Sequence, residues 1–311
     1  MNSKIFGIIL TLFMGTTFVS CSDSDDNSPF DHQNKGEFNP KEIIISRLND
    51  NRNIVESWKN ITRNHDNKIT GYEYNYELTG EITKVERRNC TMDYFTDHNG
   101  NELIRSNYTV DCINSKNGIT EKYTEKVLEN VTINAKGYIT SIRTTADRFN
   151  NNSTEAVTTT NERVFTYSGD LCTGSTFNDN EYHITYKYNW NGYQLRSITI
   201  LKENKKDGSI EYNAYDYTFD NKEIYPYTGT SLIPFVQSGL PQIYASMGYI
   251  GKCTPYVLTE EVQSGYTKFA DHTSSNIKVY NLYSLDGDPS QRMTYSVLSN
   301  IYNNYTITFS K

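Results

Sequence analysis

Five histidines, at positions 32, 65, 98, 183 and 272, are the side chains whose ordinary pKa suits proton transfer near neutrality. They are scattered, and none has a partner at a spacing that would position it as a general base. His98 adjoins Asn99-Gly100 and is expected in a turn. Glu260 and Glu261 are adjacent, so on a strand they face opposite sides and cannot work as a carboxylate pair. More distant acids can meet in space, as glycoside hydrolysis requires, but no spacing singles out two of them. Asp286-Gly287-Asp288 has the opening of a calcium loop without the later oxygen ligands, and a hairpin turn accounts for it better. No GxSxG, HExxH, Walker A or dinucleotide fingerprint is present. The expectation is no catalytic residue, no metal site and no cofactor, with enzymatic activity disfavoured.

The feature that carries functional promise is aromatic. Tyr occurs 26 times, Phe 13 and Trp 2 in 311 residues. Tyr joins an apolar ring to a polar tip, which suits partly wet surfaces such as sugar-stacking platforms and protein interfaces. Tyr186, Tyr188 and Trp190 alternate, so they share one face of a strand, and Asn191-Gly192 then turns the chain before Tyr193. These four residues are the candidate ligand-binding patch. Tyr72, Tyr74 and Tyr76 form a second same-face ladder. The competing reading is that such rings build the core of a Leu-poor β protein or stack across strands.

The N-terminus carries a different chemistry. A short positive region, Met1 to Lys4, precedes an apolar run from Ile5 to Val19 that is too short to span a bilayer, as expected of a cleaved signal. Phe18-Val19-Ser20-Cys21 resembles the lipobox of bacterial lipoproteins, which implies that Cys21 is acylated and becomes the mature first residue. Ser22-Asp23-Ser24-Asp25-Asp26 is similar to the surface-export signal of Bacteroidetes lipoproteins. That resemblance implies an outer-membrane lipoprotein exposed at the cell surface, held to the membrane through Cys21. Two acyl chains provide stable anchoring, since each buried CH₂ contributes about 0.8 kcal/mol. A net charge of −7, without a basic stripe, argues against nucleic acid as a partner.

Four further cysteines, Cys90, Cys112, Cys172 and Cys253, fit no zinc template. An exported chain permits disulfides, and Cys90 with Cys112 is the favoured pair because both lie in neighbouring expected strands of one hairpin. Four free thiols is the alternative.

Positioning falls to hairpins. Residues 21–40 read as an acidic flexible tether, and Pro40 to Leu48 is left open between strand and helical turn. Thereafter the period is two, with Gly80, Gly100, Gly118 and Gly137 punctuating the chain roughly once per hairpin. Asn-Gly and Asp-Gly between alternating segments favour type I′ turns. One segment breaks the rhythm: Leu240, Ile243, Tyr244 and Met247 follow i, i+3, i+4, i+7, with Pro241 suited to a first helical turn and Gly248 or Gly251 to a stop. The expectation is an all-β domain over 41–311, an antiparallel meander curled into an open or closed barrel, with one short helix near 240–250 that packs on the sheet or plugs one end. A membrane-spanning barrel is disfavoured, because strands such as Thr120–Lys126 lack a continuous apolar face.

These hairpins resemble the tyrosine-rich repeats of Rhs and YD-repeat proteins. Together with the lipobox and the Gly/Pro-interrupted segment, residues 45–311 resemble a Bacteroidetes lipoprotein family of unknown function with a porin-like fold, which implies the fold and hands over no catalytic residues. The leading functional expectation is a non-catalytic binding or accessory lipoprotein with glycan as cargo. The alternative is a structural or adhesion subunit whose sheet edge or aromatic face docks an envelope protein, and an extracytoplasmic hydrolase ranks last.

Overall fold

A computed structural model describes residues 41–49, 52–98, 100–116, 119–150, 153–223, 243–244, 248–251, 256–268, 273–286, 292–297 and 303–310. The lipobox with Cys21, the tether at 21–40, Cys253, His32 and His272 lie outside them.

Alternation of aromatic or β-branched residues with Thr, Lys and Asn yields strands in chain order: β1 (Glu42–Asn49), β2 (Arg52–Arg63), β3 (Ile69–Thr79), β4 (Ile82–Thr96), β5 (Glu102–Lys116), β6 (Ile119–Ile133), β7 (Ile139–Asn150) and β8 (Val157–Ser168). Then come β9 (Leu171–Asn178), β10 (Tyr182–Asn191), β11 (Gln194–Asn204), β12 (Ile210–Glu223), β13 (Tyr256–Lys268), β14 (Thr273–Asp286), β15 (Arg292–Val297) and β16 (Asn303–Ser310). Each pairs antiparallel with its sequence neighbours, and β1 pairs with β16 from Glu42 opposite Ser310 to Leu48 opposite Asn304, so the meander is a closed barrel. The segment left open in the sequence, Pro40 to Leu48, contains the sealing strand. Closure removes the free sheet edge on which an edge-docking partner would rely.

Turns of one construction join several strands. Asn64, Asp97 and Asn134 each open a loop whose fourth residue, Asn67, Gly100 or Gly137, has φ of 63°, 82° and 83°. The Asn134 amide donates to the Tyr138 carbonyl at 2.8 Å, and its Oδ1 accepts from the Lys136 and Tyr138 amides at 3.0 Å. A short polar side chain thus substitutes for backbone partners, while the fourth position selects Gly or Asn for the left-handed region. At β10–β11 only Gly192 has positive φ, whereas type I′ needs it at both central residues; this turn and Gly169-Asp170 place Gly first, as type II′ does.

Register irregularities have one address. They occur at β2–β3, β6–β7, β8–β9, β10–β11, β12–β13 and β14–β15, all hairpins of one end of the barrel, while the hairpins of the other end are regular. Bulges bend strands and increase twist, drawing that end inward. The same end holds the core. Ile43, Ile69, Ile104, Ile133, Ile139, Leu195 and Ile198 are under 2% exposed there, joined by Ile243 and Tyr244. Each such side chain contributes roughly 2 kcal/mol on burial. Of the helix expected near 240–250, Ile243 and Tyr244 have helical backbone; Leu240, Pro241 and Met247 lie outside the described residues, and among the described residues no helix forms as an element. Tyr249 accepts from the Ile139 amide at 2.8 Å, which ties the segment after the helix to the β6–β7 hairpin.

Antiparallel partners share a face, so register shows which face is which. Tyr74 (β3), Arg88 (β4), Val110 (β5), Glu125 (β6) and Arg148 (β7) point inward in one row. Outward rows between them carry Arg87, Asp111 and Thr124, then Asn89, Thr109, Lys126 and Asp147, then Asp93, Arg105, Asn130 and Arg143. An Arg or Lys at a bilayer midplane costs about 2 to 4 kcal/mol, so a wall with Arg87, Arg105, Lys126 and Arg143 outside faces water.

Candidate functional site

Strand β10 was expected to present Tyr186, Tyr188 and Trp190 on one face, and it does, but two of the three rings turn inward. Tyr186 is 9% and Tyr188 3% exposed. Inside, the Arg163 guanidinium sits 4.2 Å from the Tyr186 ring centroid, a contact favoured where water is excluded. Trp190 is half-buried, and its Nε1 donates to the Cys172 carbonyl at 2.7 Å. Tyr193, at 39%, is exposed in the turn. The four residues therefore do not form a surface platform. Alternation correctly groups them, but the apolar face of this wall is the lumen.

The opposite face of the same strand forms a groove of about 770 Å³. Its walls are alternate residues of β8 (Val164, Thr166, Ser168) and of β10 (Thr185, Lys187, Asn189). Between them β9 offers Gly174, where an added Cβ would lie 2.8 Å from the Tyr186 carbonyl oxygen. Gly inside a strand marks such a close approach, and here it leaves a floor without a side chain. Thr166 Oγ1 donates to the Gly174 carbonyl at 3.3 Å. Pairing of β9 with β10 runs from Asn178 opposite His183 to Gly174 opposite Lys187, and the strands separate beyond it. Trp190 and Gly192 bound the groove at that hairpin end. Hydroxyls, one amide and one ammonium can hydrogen-bond a polyol; among the groove residues there is no His, Asp or Glu to move a proton. Sequence reasoning found Trp190 but missed Gly174, Thr166, Thr185, Lys187 and Asn189. The available signal was Gly174 inside Thr173-Gly-Ser-Thr176, where a strand carries no bulk.

Inside the barrel, Glu129 accepts from Tyr108 Oη at 2.9 Å and from Tyr244 Oη at 3.1 Å, which fastens the helical segment to β5 and β6. Burial raises the Glu129 pKa, against the two phenol donors and Arg88. Burial also pushes the Tyr249 phenol up to about 12. Arg88 lies 4.7 Å from the Tyr74 centroid and 5.5 Å from that of Tyr108, and donates to Glu86 Oε2 at 3.0 Å. Burial alone would raise Glu86, but Arg88 and Lys84 outweigh it and lower its pKa. These pairs neutralise the inward charges locally.

The favoured disulfide is not formed. Cys90 and Cys112 are buried free thiols, opposite Tyr108 and Glu86, four residues out of register. At about 3.4 Å per residue, that offset exceeds the roughly 7 Å limit between bridged Cα atoms. Cys90 instead pairs with Ser106, Sγ to Oγ at 3.0 Å, and burial raises its pKa. His98 is exposed in its turn as expected, and His183 Nδ1 lies 2.6 Å from Asn178 Oδ1. Among the described residues no group of three His, Cys, Asp or Glu converges to hold a metal.

No protein-family model matches this chain, and no curated protein does. Among solved structures it is similar to a porin-like protein from Bacteroides uniformis, at 13% identity over 88% of this chain and 96% of that one, with a TM-score of 0.43.

Proposed function

We propose that this protein is an exported, lipid-anchored binding barrel that recognises a glycan through the outer groove of β8–β10. The observation that carries the reading is the groove itself, a strand floor stripped to Gly174 between walls of Thr166, Thr185, Lys187 and Asn189, with Val164 and Leu171 as apolar lining. Such a set of hydroxyl, amide and ammonium groups beside Val164 and Leu171 suits a sugar, whose hydroxyls need partners while its ring carbons need an apolar surface. The anchor is Cys21, and a water-facing wall fits a protein held by acyl chains instead of by its strands.

Electrophoresis through gels containing starch, laminarin, xylan, mannan or pectate tests this. At least one neutral polysaccharide retards the full-length mature protein. Lys187→Ala and Asn189→Ala, both at exposed positions, weaken that retardation about fivefold, the effect of one lost hydrogen bond of about 1 kcal/mol. Free migration in every gel overturns the glycan reading.

A further inference from the structure

The groove is not an isolated dent. Register carries its outward residues across the wall in consecutive rows. One row is bulky: Val164 (β8), Thr176 (β9), Thr185 (β10), Leu201 (β11), Tyr212 (β12) and Tyr266 (β13). Tyr212 and Tyr266 stack at 5.1 Å between centroids, and Val164, Leu201 and Tyr266 are 42%, 39% and 39% exposed. The neighbouring row is mostly small: Thr166, Gly174, Lys187, Thr199, Ala214 and Ser264. Beyond it run Asn189, Ser197, Asp216 and Val262, with Asn189 Nδ2 donating to Ser197 Oγ at 2.8 Å. Except at β10, where the Lys187 side chain crosses it, a row of smaller residues beside a row of bulkier ones makes a trough that runs across the strands.

Two features define what fits. Five interstrand steps from β8 to β13 span about 24 Å at about 4.8 Å each. The repeat presents a fresh pair of wall and floor side chains at each step, at a spacing close to the width of one pyranose ring. Charge sets the second limit. Lys187 is a cation on the β10 side, and the row beyond the Tyr ridge carries the exposed Glu162, Glu203 and Lys268, with the exposed Asp216 on the other side, so acids outnumber cations three to two. That balance disfavours an anionic polymer.

We propose that the trough from Val164 to Tyr266 binds a linear, uncharged polysaccharide laid across the strands, with the groove at Gly174 as one end and the Tyr212–Tyr266 pair as a distal subsite. This rests on the glycan reading of the groove and adds chain length and charge to it. The exposed Tyr266 ring stacks on the far sugar, and Leu201 covers the step between.

The test uses the full-length mature protein with oligomers of two to six units of whichever neutral polysaccharide retards it, measured by calorimetry. Affinity is expected to rise with each unit up to about five and then level, since the trough has that many steps. Tyr266→Ala lowers hexamer affinity about tenfold and leaves the dimer unchanged, and Tyr266→Phe keeps most of it. If Tyr266→Ala lowers the melting temperature, Leu201→Ser at its exposed position replaces it with the same expected direction. Retardation in gels with equal affinity for dimer and hexamer, or with tighter binding to pectate, overturns the trough and leaves the groove standing. Free migration in every gel overturns both.

Discussion

Gly251 tests how the barrel holds its inserted segment. Its φ is 82°, and a Cβ there would lie 2.6 Å from the Asp170 carbonyl oxygen and 3.3 Å from Tyr167 Cε1, in the β8–β9 turn. Gly251→Ala adds two costs. The left-handed backbone costs an L residue about 1 to 2 kcal/mol. Pressing a methyl group onto backbone costs a further 1 to 3 kcal/mol or so. Gly208 provides the control, because its φ is 68° with nothing within 4 Å of an added Cβ, so Gly208→Ala carries the first cost alone. For a chain of this size about 1 kcal/mol shifts the melting temperature by roughly 2 to 4 °C. Calorimetry of the two variants is expected to show Gly208→Ala lower by about 3 °C and Gly251→Ala lower by about 10 °C. Equal shifts would refute the reasoning, since they would mean that the segment gives way at the turn without cost.

Glu129 predicts a pH dependence. Its folded pKa is raised above the unfolded value of 4.5, so its stabilising contribution is complete below that value and is lost as pH rises through the folded pKa. Urea unfolding of Glu129→Gln should be flatter over that window than wild type, and a parallel profile would count against the assignment. Phase separation in detergent separates an acyl anchor from a lipid-facing wall: the wild-type protein should enter the detergent phase and Cys21→Ser the aqueous phase. Partition of Cys21→Ser into detergent would show that the strands themselves meet lipid. Cys90, Cys112 and Cys172 should alkylate only after denaturation, with identical masses with and without reductant, because they are buried and unbridged.

Local signals in the sequence were sufficient for hairpins. Tyr72, Tyr74 and Tyr76 alternate and do share a face; Asp97 to Gly100 and Asn134 to Gly137 turn where expected. The closing seam was not legible, because Glu42 and Ser310 are joined by backbone pairing that leaves no pattern in side chains. Nor was the direction of the faces. Alternation separates Tyr186 and Tyr188 from Lys187 and Asn189 but does not say which set meets water in a barrel that encloses its own core. Choosing the rings as the site followed from their chemistry, and the curvature of the sheet placed Thr, Lys and Asn outside instead. Gly174 shows the same limit, since a missing side chain becomes a floor only when neighbouring strands supply the walls.

The seam between β1 and β16 also gives the molecule a polarity. Lys41 accepts from the Ile61 amide at 3.2 Å, beside the β2–β3 hairpin, and Ser310 lies opposite Glu42, so the chain enters and leaves the barrel at the bulged, core-filled end. Anything attached through the residues before Glu42 pulls on that end. The regular hairpins, with Glu86, Arg88 and Tyr123 lining the wall beneath them, then form the distal rim. With the anchor proposed above, the molecule would approach its surroundings with the least packed part of its wall foremost, and the proposed trough would lie sideways to the leash, open to a polymer that passes along the surface.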